Sequence, residues 1–434
     1  MKNLIIIHLE SISHNLLHNG SKEVFPNLSR IAENSCVFST YYSTASSTIM
    51  VIGDLMYGDP YQLEKSRDLS GVYKQKTVKS TFELLAEKGY QTSALMYPYL
   101  SDKTDRINLK KLLGHSAHFE AAAEQDQFHK KIENTIKSGQ AFALYVYNST
   151  SLLSSPFRTQ NVDHCFLETV EESYRNIDRT TGFIFQTLQE QHMLEDTVVV
   201  LFGDHGDDMY SHGFTHGFTH AIEPYASVIR TPLMVYSSQI RQSNITDLVN
   251  TLDIRDMILS LLENENISKD TWYPKRKFSF SRNLFWNQQS TVLNKAYSVT
   301  DGRYMLMVSP EGLELYLCKY DVFGTVNLLN FFDLHGKTIR LKAEIRFIEG
   351  IHIEYMLKKP ASSISREFTR LREELLKYLE QIQIHTGIRL DFAPWFQHIR
   401  KNDQIQKEIK RAAAHSIIGK RLRGIIQCVT KFVS

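Results

Sequence analysis

Two short apolar runs limit what this chain can fold into more than any other feature. Leu4-Ile-Ile-Ile7 stands near the N-terminus and Val198-Val-Val-Leu-Phe202 lies far along the sequence. Neither alternates apolar and polar residues, so neither suits a strand with one wet face. Such runs suit strands buried on both faces, as in parallel sheets covered by helices on either side. Each run leads into groups that bind cations. The first ends at Glu10, and the second passes through Gly203 into Asp204 and His205, followed by His212, His216 and His220. A carboxylate beside an imidazole suits a divalent cation, and ligands of open parallel sheets gather at the carboxyl ends of strands. Taken alone, Asp204-His205 is equally a polar turn with surface histidines, and a lone Glu10 after a strand is more often a turn or a helix cap.

Between these runs the chain has recognisable punctuation. Phe25-Pro26-Asn27 opens a helix, with Leu28, Ile31 and Ala32 at helical spacing. Val37 to Tyr42 returns to strand character. The hydroxyl cluster Ser43-Thr-Ala-Ser-Ser-Thr48 precedes an apolar segment, Ile49 to Met56, that stops at Gly58. Hydroxyls before a helix serve as N-caps. They also serve as nucleophiles, because the helix N-terminus stabilises an anion and a nearby metal lowers the hydroxyl pKa.

With 434 residues, 42% apolar and 23% charged, the chain is that of a large globular protein. A net charge of +2 gives no global case for nucleic acid, and none is expected as a partner. Four separated cysteines form no Cys-x-x-Cys pair, and no run reaches membrane-spanning length. A cytoplasmic location is therefore expected. The charge is uneven: from Arg400 onward nine Lys/Arg face two Asp/Glu.

The segment Asn3–Glu10, then Phe25–Ile31 with Val37-Phe38, then Thr44-Ala-Ser-Ser-Thr48 running to Gly58, resemble in order and spacing the opening of a sulfatase-like enzyme of the alkaline-phosphatase superfamily. Thr81–Thr92, Tyr174 through Asp178 to Leu188, Asp196-Thr197, Gly203-Asp-His-Gly206 and Arg230–Val235 are similar to its later core elements. Asp301-Gly-Arg-Tyr304, Glu314-Leu-Tyr316, Asp321 and Asn327-Leu328 resemble its small C-terminal sheet. The resemblance, over roughly 1–335, implies an α/β fold: a mostly parallel central sheet flanked by helices and a small C-terminal antiparallel sheet, to which the helical pattern beyond 336 adds a helical tail. It divides the chain into a catalytic core over 1–270, the small sheet over 271–335 and a helical extension over 336–434.

It also implies a mononuclear site in which Glu10, Thr48, Asp204 and His205 bind one divalent metal ion, with Thr48 as nucleophile and His212 and His220 as candidates for proton transfer. His216 belongs to a tandem Gly-Phe-Thr-His repeat and is read as a loop residue. Mn, Mg, Zn and Ca all suit this donor set, with the imidazole leaning away from Ca. Departures narrow the chemistry. Sulfatases proper carry a Cys or Ser converted to formylglycine in a C/S-x-P-S/A-R signature, whereas this chain reads Thr48-Ile-Met-Val-Ile52. A threonine there is similar to phosphoglycerol and phosphoethanolamine transferases. The loop Asn148–Pro156 lacks the family's His-x-Pro element, and Met96-Tyr-Pro-Tyr99 replaces its Lys/His positions, so a rebuilt substrate pocket and no second metal are expected.

The function expected is transfer of a phospho-alcohol from a donor, such as a phospholipid, to a glycan or glycolipid through a phospho-threonine. A hydrolase of phosphate or sulfate esters and an inactive scaffold are the alternatives. In the tail, Leu371, Leu375, Tyr378, Leu379 and Ile382 form an apolar stripe over 362–384. His415 to Val433 is a basic amphipathic pattern, suited to an anionic membrane surface or equally to packing and assembly.

Overall fold

The computed structural model describes residues 1–14, 17, 23–60, 78–98, 109–153, 166–208, 212, 220, 223–264, 272–284, 295–319, 321–324, 327–331, 361–386 and 391–400. His216 and the basic pattern over 415–433 lie outside them. The strands in the first half are β1 (Asn3–Leu9), β2 (Cys36–Phe38), β3 (Tyr41–Tyr42), β4 (Gln91–Tyr97), β5 (His118–Ala121), β6 (Phe142–Asn148) and β7 (Thr197–Gly203). Those in the second half are β8 (Leu233–Tyr236), β9 (Ser243–Ile245), β10 (Val249–Asn250), β11 (Ser279–Leu284), β12 (Lys295–Thr300), β13 (Met305–Ser309) and β14 (Gly312–Tyr316).

Among the described residues the central sheet has the order β5-β4-β6-β1-β7-β8-β2-β9. The five strands from β5 to β7 are parallel, while β8 runs antiparallel to both β7 and β2. The two apolar runs become β1 and β7, side by side at the centre and buried throughout. Helices cover both faces, which is why neither run needed a polar side. On one face Ile6, Val200 and Phe202 pack with Met50 and Leu55 of α2 and Ile254 and Met257 of α5. On the other, Ile5, Ile7 and Leu201 meet Leu28 of α1, Phe128 of α3 and Ile177 of α4. Here α1 is Pro26–Ala32, α2 Thr48–Tyr57, α3 Gln125–Ile136, α4 Phe166–Glu190 and α5 Thr251–Glu263. Gly58 ends α2 in the left-handed conformation (φ 66°), with its N–H on the Asp54 carbonyl.

The small sheet β11-β12-β13-β14 is antiparallel. Its first strand fastens to the hydroxyl loop before α2: Arg282 N–H donates to the Thr44 carbonyl at 3.0 Å and Ser46 N–H donates to the Arg282 carbonyl at 3.3 Å. Helix α6 (Ala361–Thr386) lays Leu371, Leu375, Leu379 and Ile382 into one cluster with Tyr297, Val299, Leu306 and Leu315. Residues 398–400 pair with β14 through Leu313. The segments on either side of the expected boundary at 335 thus share one core, because the stripe of α6 finds its apolar partner on the small sheet.

Candidate metal centre

Strands β1 and β7 run in register, with Leu9 level with Gly203. The next residues, Glu10 and Asp204, therefore leave the sheet side by side, and both are fully buried. Side chains two apart share one face of a strand, so His8 points the same way as Glu10. Its ring stacks between Tyr147, at 4.3 Å, and Phe202, at 5.0 Å, the residues level with it on the flanking strands. Across the site stands Thr48, half-buried at the first turn of α2, with its hydroxyl 2.9 Å from His205 Nε2.

The donor atoms converge. Asp204 Oδ2 lies 3.1 Å from His8 Nε2 and 3.1 Å from His205 Nε2. His8 Nε2 is 3.4 Å from Glu10 Oε2, and His205 Nε2 is 3.6 Å from Glu10 Oε1. Neighbouring donors around a cation at bond lengths of about 2.1 Å lie about 3.0 Å apart in an octahedron and about 3.4 Å apart in a tetrahedron. The spacing fits either. Within this cluster Asp204 Oδ2 and His8 Nε2 are buried without a hydrogen bond of acceptable geometry, a state that is costly unless a cation satisfies it. His205 Nδ1 lies 3.2 Å from the Gly206 carbonyl, which places its proton there and turns the Nε2 lone pair inward.

The electrostatics agree. Burial, then the charge of Asp204, pushes Glu10 up to about 7, while Tyr147 donates to its Oε2 at 2.7 Å. Burial, and next the charge of His220, lowers His205 to about 4 against the pull of Asp204, leaving a neutral imidazole at neutral pH. Burial alone would raise Asp204, yet His205 and His8 hold it well below the usual carboxylate range. Burial and the two carboxylates keep the Tyr145 and Tyr147 hydroxyls protonated. Two adjacent buried carboxylates, one holding a proton at neutrality, form a site that a dication would complete.

The remaining histidines separate. His220 stacks on His205 at 4.0 Å, remains 26% exposed, and is held through Nδ1 by Asp207 Oδ1 at 2.9 Å. Burial lowers its pKa, but the Asp207 hydrogen bond and charge, helped by Glu10 and Asp204, raise it overall. His205, Asp207 and His220 form a second group with metal-ligand spacing. His212 is placed differently. Its Nδ1 meets Asp208 Oδ1 and its Nε2 meets the Gly324 carbonyl, each at 2.5 Å, and the ring stacks on Tyr225. It ties the loop after β7 to the loop after β14.

The structure thus brings Glu10, Thr48, Asp204, His205 and His220 together and sets His212 aside as a strut. The sequence reading missed His8 and Asp207. For His8 a signal existed: its spacing of two from Glu10 on a strand. Asp207 offered none beyond lying in an acidic turn.

The sulfatase family pattern matches residues 2–264, and the chain belongs to the sulfatase family. No curated protein matches the chain. Among solved structures it is similar to BT1596, a 2-O GAG sulfatase, at 15% identity and a TM-score of 0.65, covering 92% of this chain and 97% of that one. It is also similar to a protein of the alkaline phosphatase superfamily from Vibrio parahaemolyticus, at 15% identity and a TM-score of 0.52 over 72% and 78% of the two chains. The lipoteichoic acid synthase LtaP from Listeria monocytogenes matches at 16% identity and a TM-score of 0.51, over 71% and 84%. At these identities the likeness is one of fold. Among the described residues no helix is long and apolar enough to cross a membrane.

Proposed function

We propose that the protein is a metal-dependent phosphodiester transferase that moves a phospho-alcohol, such as phosphoglycerol or phosphoethanolamine, to a glycan or glycolipid acceptor through a phospho-threonine. The observation that carries this reading is the Thr48 hydroxyl, held 2.9 Å from His205 Nε2 at a helix start beside two buried carboxylates. A threonine cannot become formylglycine, so the site lacks the group on which sulfate-ester cleavage in sulfatases depends.

Glu10, Asp204, His205 and Thr48 would hold the divalent cation, which when bound lowers the hydroxyl pKa and draws charge from phosphate oxygens. The residues themselves do the rest. The first turn of α2 presents unpaired backbone N–H groups toward an anion. Thr48 Oγ forms its bond to phosphorus as the bond to the leaving alcohol breaks, and the hydroxyl proton leaves to water. His220, held at Nδ1 by Asp207, is assigned the proton delivered to the leaving oxygen. It takes a proton back from the acceptor hydroxyl as that oxygen displaces Thr48, whose departing Oγ regains from water the proton it gave up. The phosphodiester is regenerated on the acceptor and the enzyme returns unchanged.

A phospholipid donor is part of the proposal, as is contact of the basic tail with an anionic membrane at the inner face of the cell. Incubation of the full chain with Mn²⁺ or Zn²⁺, vesicles of phosphatidylglycerol or phosphatidylethanolamine, and a glycan acceptor tests it against a soluble nitrophenyl phosphodiester. Transfer to the glycan supports the reading. Turnover of the soluble ester alone supports the hydrolase, and no turnover with no bound cation supports a scaffold.

A further inference from the structure

From the placement of His8 we infer that it is itself a ligand of the cation, a second imidazole contributed from inside strand β1. The inference rests on the metal-centre reading above and adds to it a residue that the resemblance did not supply.

His8 sits in an otherwise apolar strand and is fully buried. A histidine placed there for packing alone would have both nitrogens satisfied or be replaced by an apolar residue. Among the described residues its Nδ1 pairs with the Tyr145 hydroxyl at 2.8 Å. Nε2 faces Asp204 Oδ2 at 3.1 Å and Glu10 Oε2 at 3.4 Å without a well-formed hydrogen bond to either. It is aimed between the two carboxylates, where donors to one cation converge. The three side chains offer ligand atoms that all lie within 4.8 Å of one another.

The ring is also built into place. Tyr147 and Phe202 clamp its two faces, and Tyr145 receives or supplies the Nδ1 hydrogen bond. With Nδ1–H donating to the Tyr145 oxygen, the Nε2 lone pair is free to coordinate, the arrangement usual for metal-bound histidine. Two imidazoles and two carboxylates form a borderline donor set, which favours Zn²⁺, Co²⁺ or Mn²⁺ over the hard ions Mg²⁺ and Ca²⁺.

X-ray absorption at the zinc edge of the Zn²⁺-loaded full chain, native and His8→Phe, tests this. Two imidazole scatterers per zinc are expected in the native chain and one in His8→Phe; one in the native chain, or two retained in His8→Phe, would overturn the inference. Cobalt titration followed by visible absorption is the second arm. His8→Phe keeps the aromatic stack and removes the donor, and at least a tenfold loss of Co²⁺ affinity with altered bands is expected. Unchanged affinity and bands in His8→Phe, with uptake abolished in Glu10→Gln, would overturn the role of His8 and leave the metal centre standing. A native chain that takes up neither Zn²⁺ nor Co²⁺ overturns both.

Discussion

Arg282 of the small sheet and Asp54 of α2 form a fully buried ion pair, with Nη1 on Oδ2 at 2.7 Å and Nη2 on Oδ1 at 2.8 Å. Thr44 Oγ1 donates to the same carboxylate at 2.5 Å. Asp54 lies in α2, the helix that begins at Thr48, so the pair ties the small sheet to that helix. Removing one partner strands a buried charge, and Arg282→Ala should cost about 3–5 kcal/mol in chemical denaturation. The double replacement Arg282→Met with Asp54→Leu should recover a large part of that loss. A double variant no more stable than the single one would mean that the hydrogen bonds to the loop, not the charge pair, carry the joint.

Thr48→Ala should abolish covalent labelling of the protein by a phosphodiester donor and reduce turnover to below about one-thousandth of the native rate. Thr48→Ser keeps the hydroxyl and should keep the label. Mass spectrometry of the quenched reaction reads both, and a phosphorylated Thr48→Ala protein would place the nucleophile elsewhere.

Glu10 makes a separable contribution to the pH response of the metal-free protein. Its folded pKa is raised to about 7 from 4.5, burial being the main cause. The protonated form is the one the fold favours, so this contribution is complete below the unfolded value and fades as pH rises through the folded one. His205, lowered to about 4, contributes in the opposite sense between about pH 4 and 6.5, so the Glu10 contribution is read as the melting temperature of metal-free native protein minus that of Glu10→Gln, which should fall from about pH 5 to about pH 8. Zn²⁺ must displace the same proton. Calorimetry in buffers of different ionisation heat should therefore show proton release at pH 6 that largely disappears by pH 8.

His220 and His212 should separate cleanly under substitution. His220→Gln is expected to slow transfer from alkyl donors by about a hundredfold and to affect a nitrophenyl donor far less, since nitrophenolate leaves without a proton. Asp207→Asn should shift the same pH–rate limb without removing it. His212→Ala should instead cost about 1–3 kcal/mol of stability through loss of the ring's hydrogen bonds to Asp208 and the Gly324 carbonyl, while zinc uptake persists. Equal losses of rate with both donors in His220→Gln would argue against a proton-transfer role.

The sheet was legible because β1 and β7 are buried on both faces and so carry no alternation to misread. Strand ends next to such runs brought Glu10, Asp204 and His205 into view, and family likeness brought Thr48. What stayed hidden depends on pairing between distant segments. Arg282 reads locally as one more charged residue, and only the bridge to Ala45 buries it. His212 follows Asp204-His205 in sequence much as His220 does, and nothing local reveals that it turns toward Gly324. The stripe of α6 predicted a packed helix but not its partner on the small sheet, because an apolar stripe does not say which surface covers it.

The central position of β1 bears on how this protein is made. Its hydrogen-bonding neighbours are β6 and β7, so the earliest strand of the sequence waits for residues 142–203 before either edge is covered. At about 5–20 residues per second that wait lasts roughly 10–40 s. Throughout it, an exposed apolar edge carrying His8 and Glu10 must be shielded, and no cation can gather its ligands until the middle of the sheet closes.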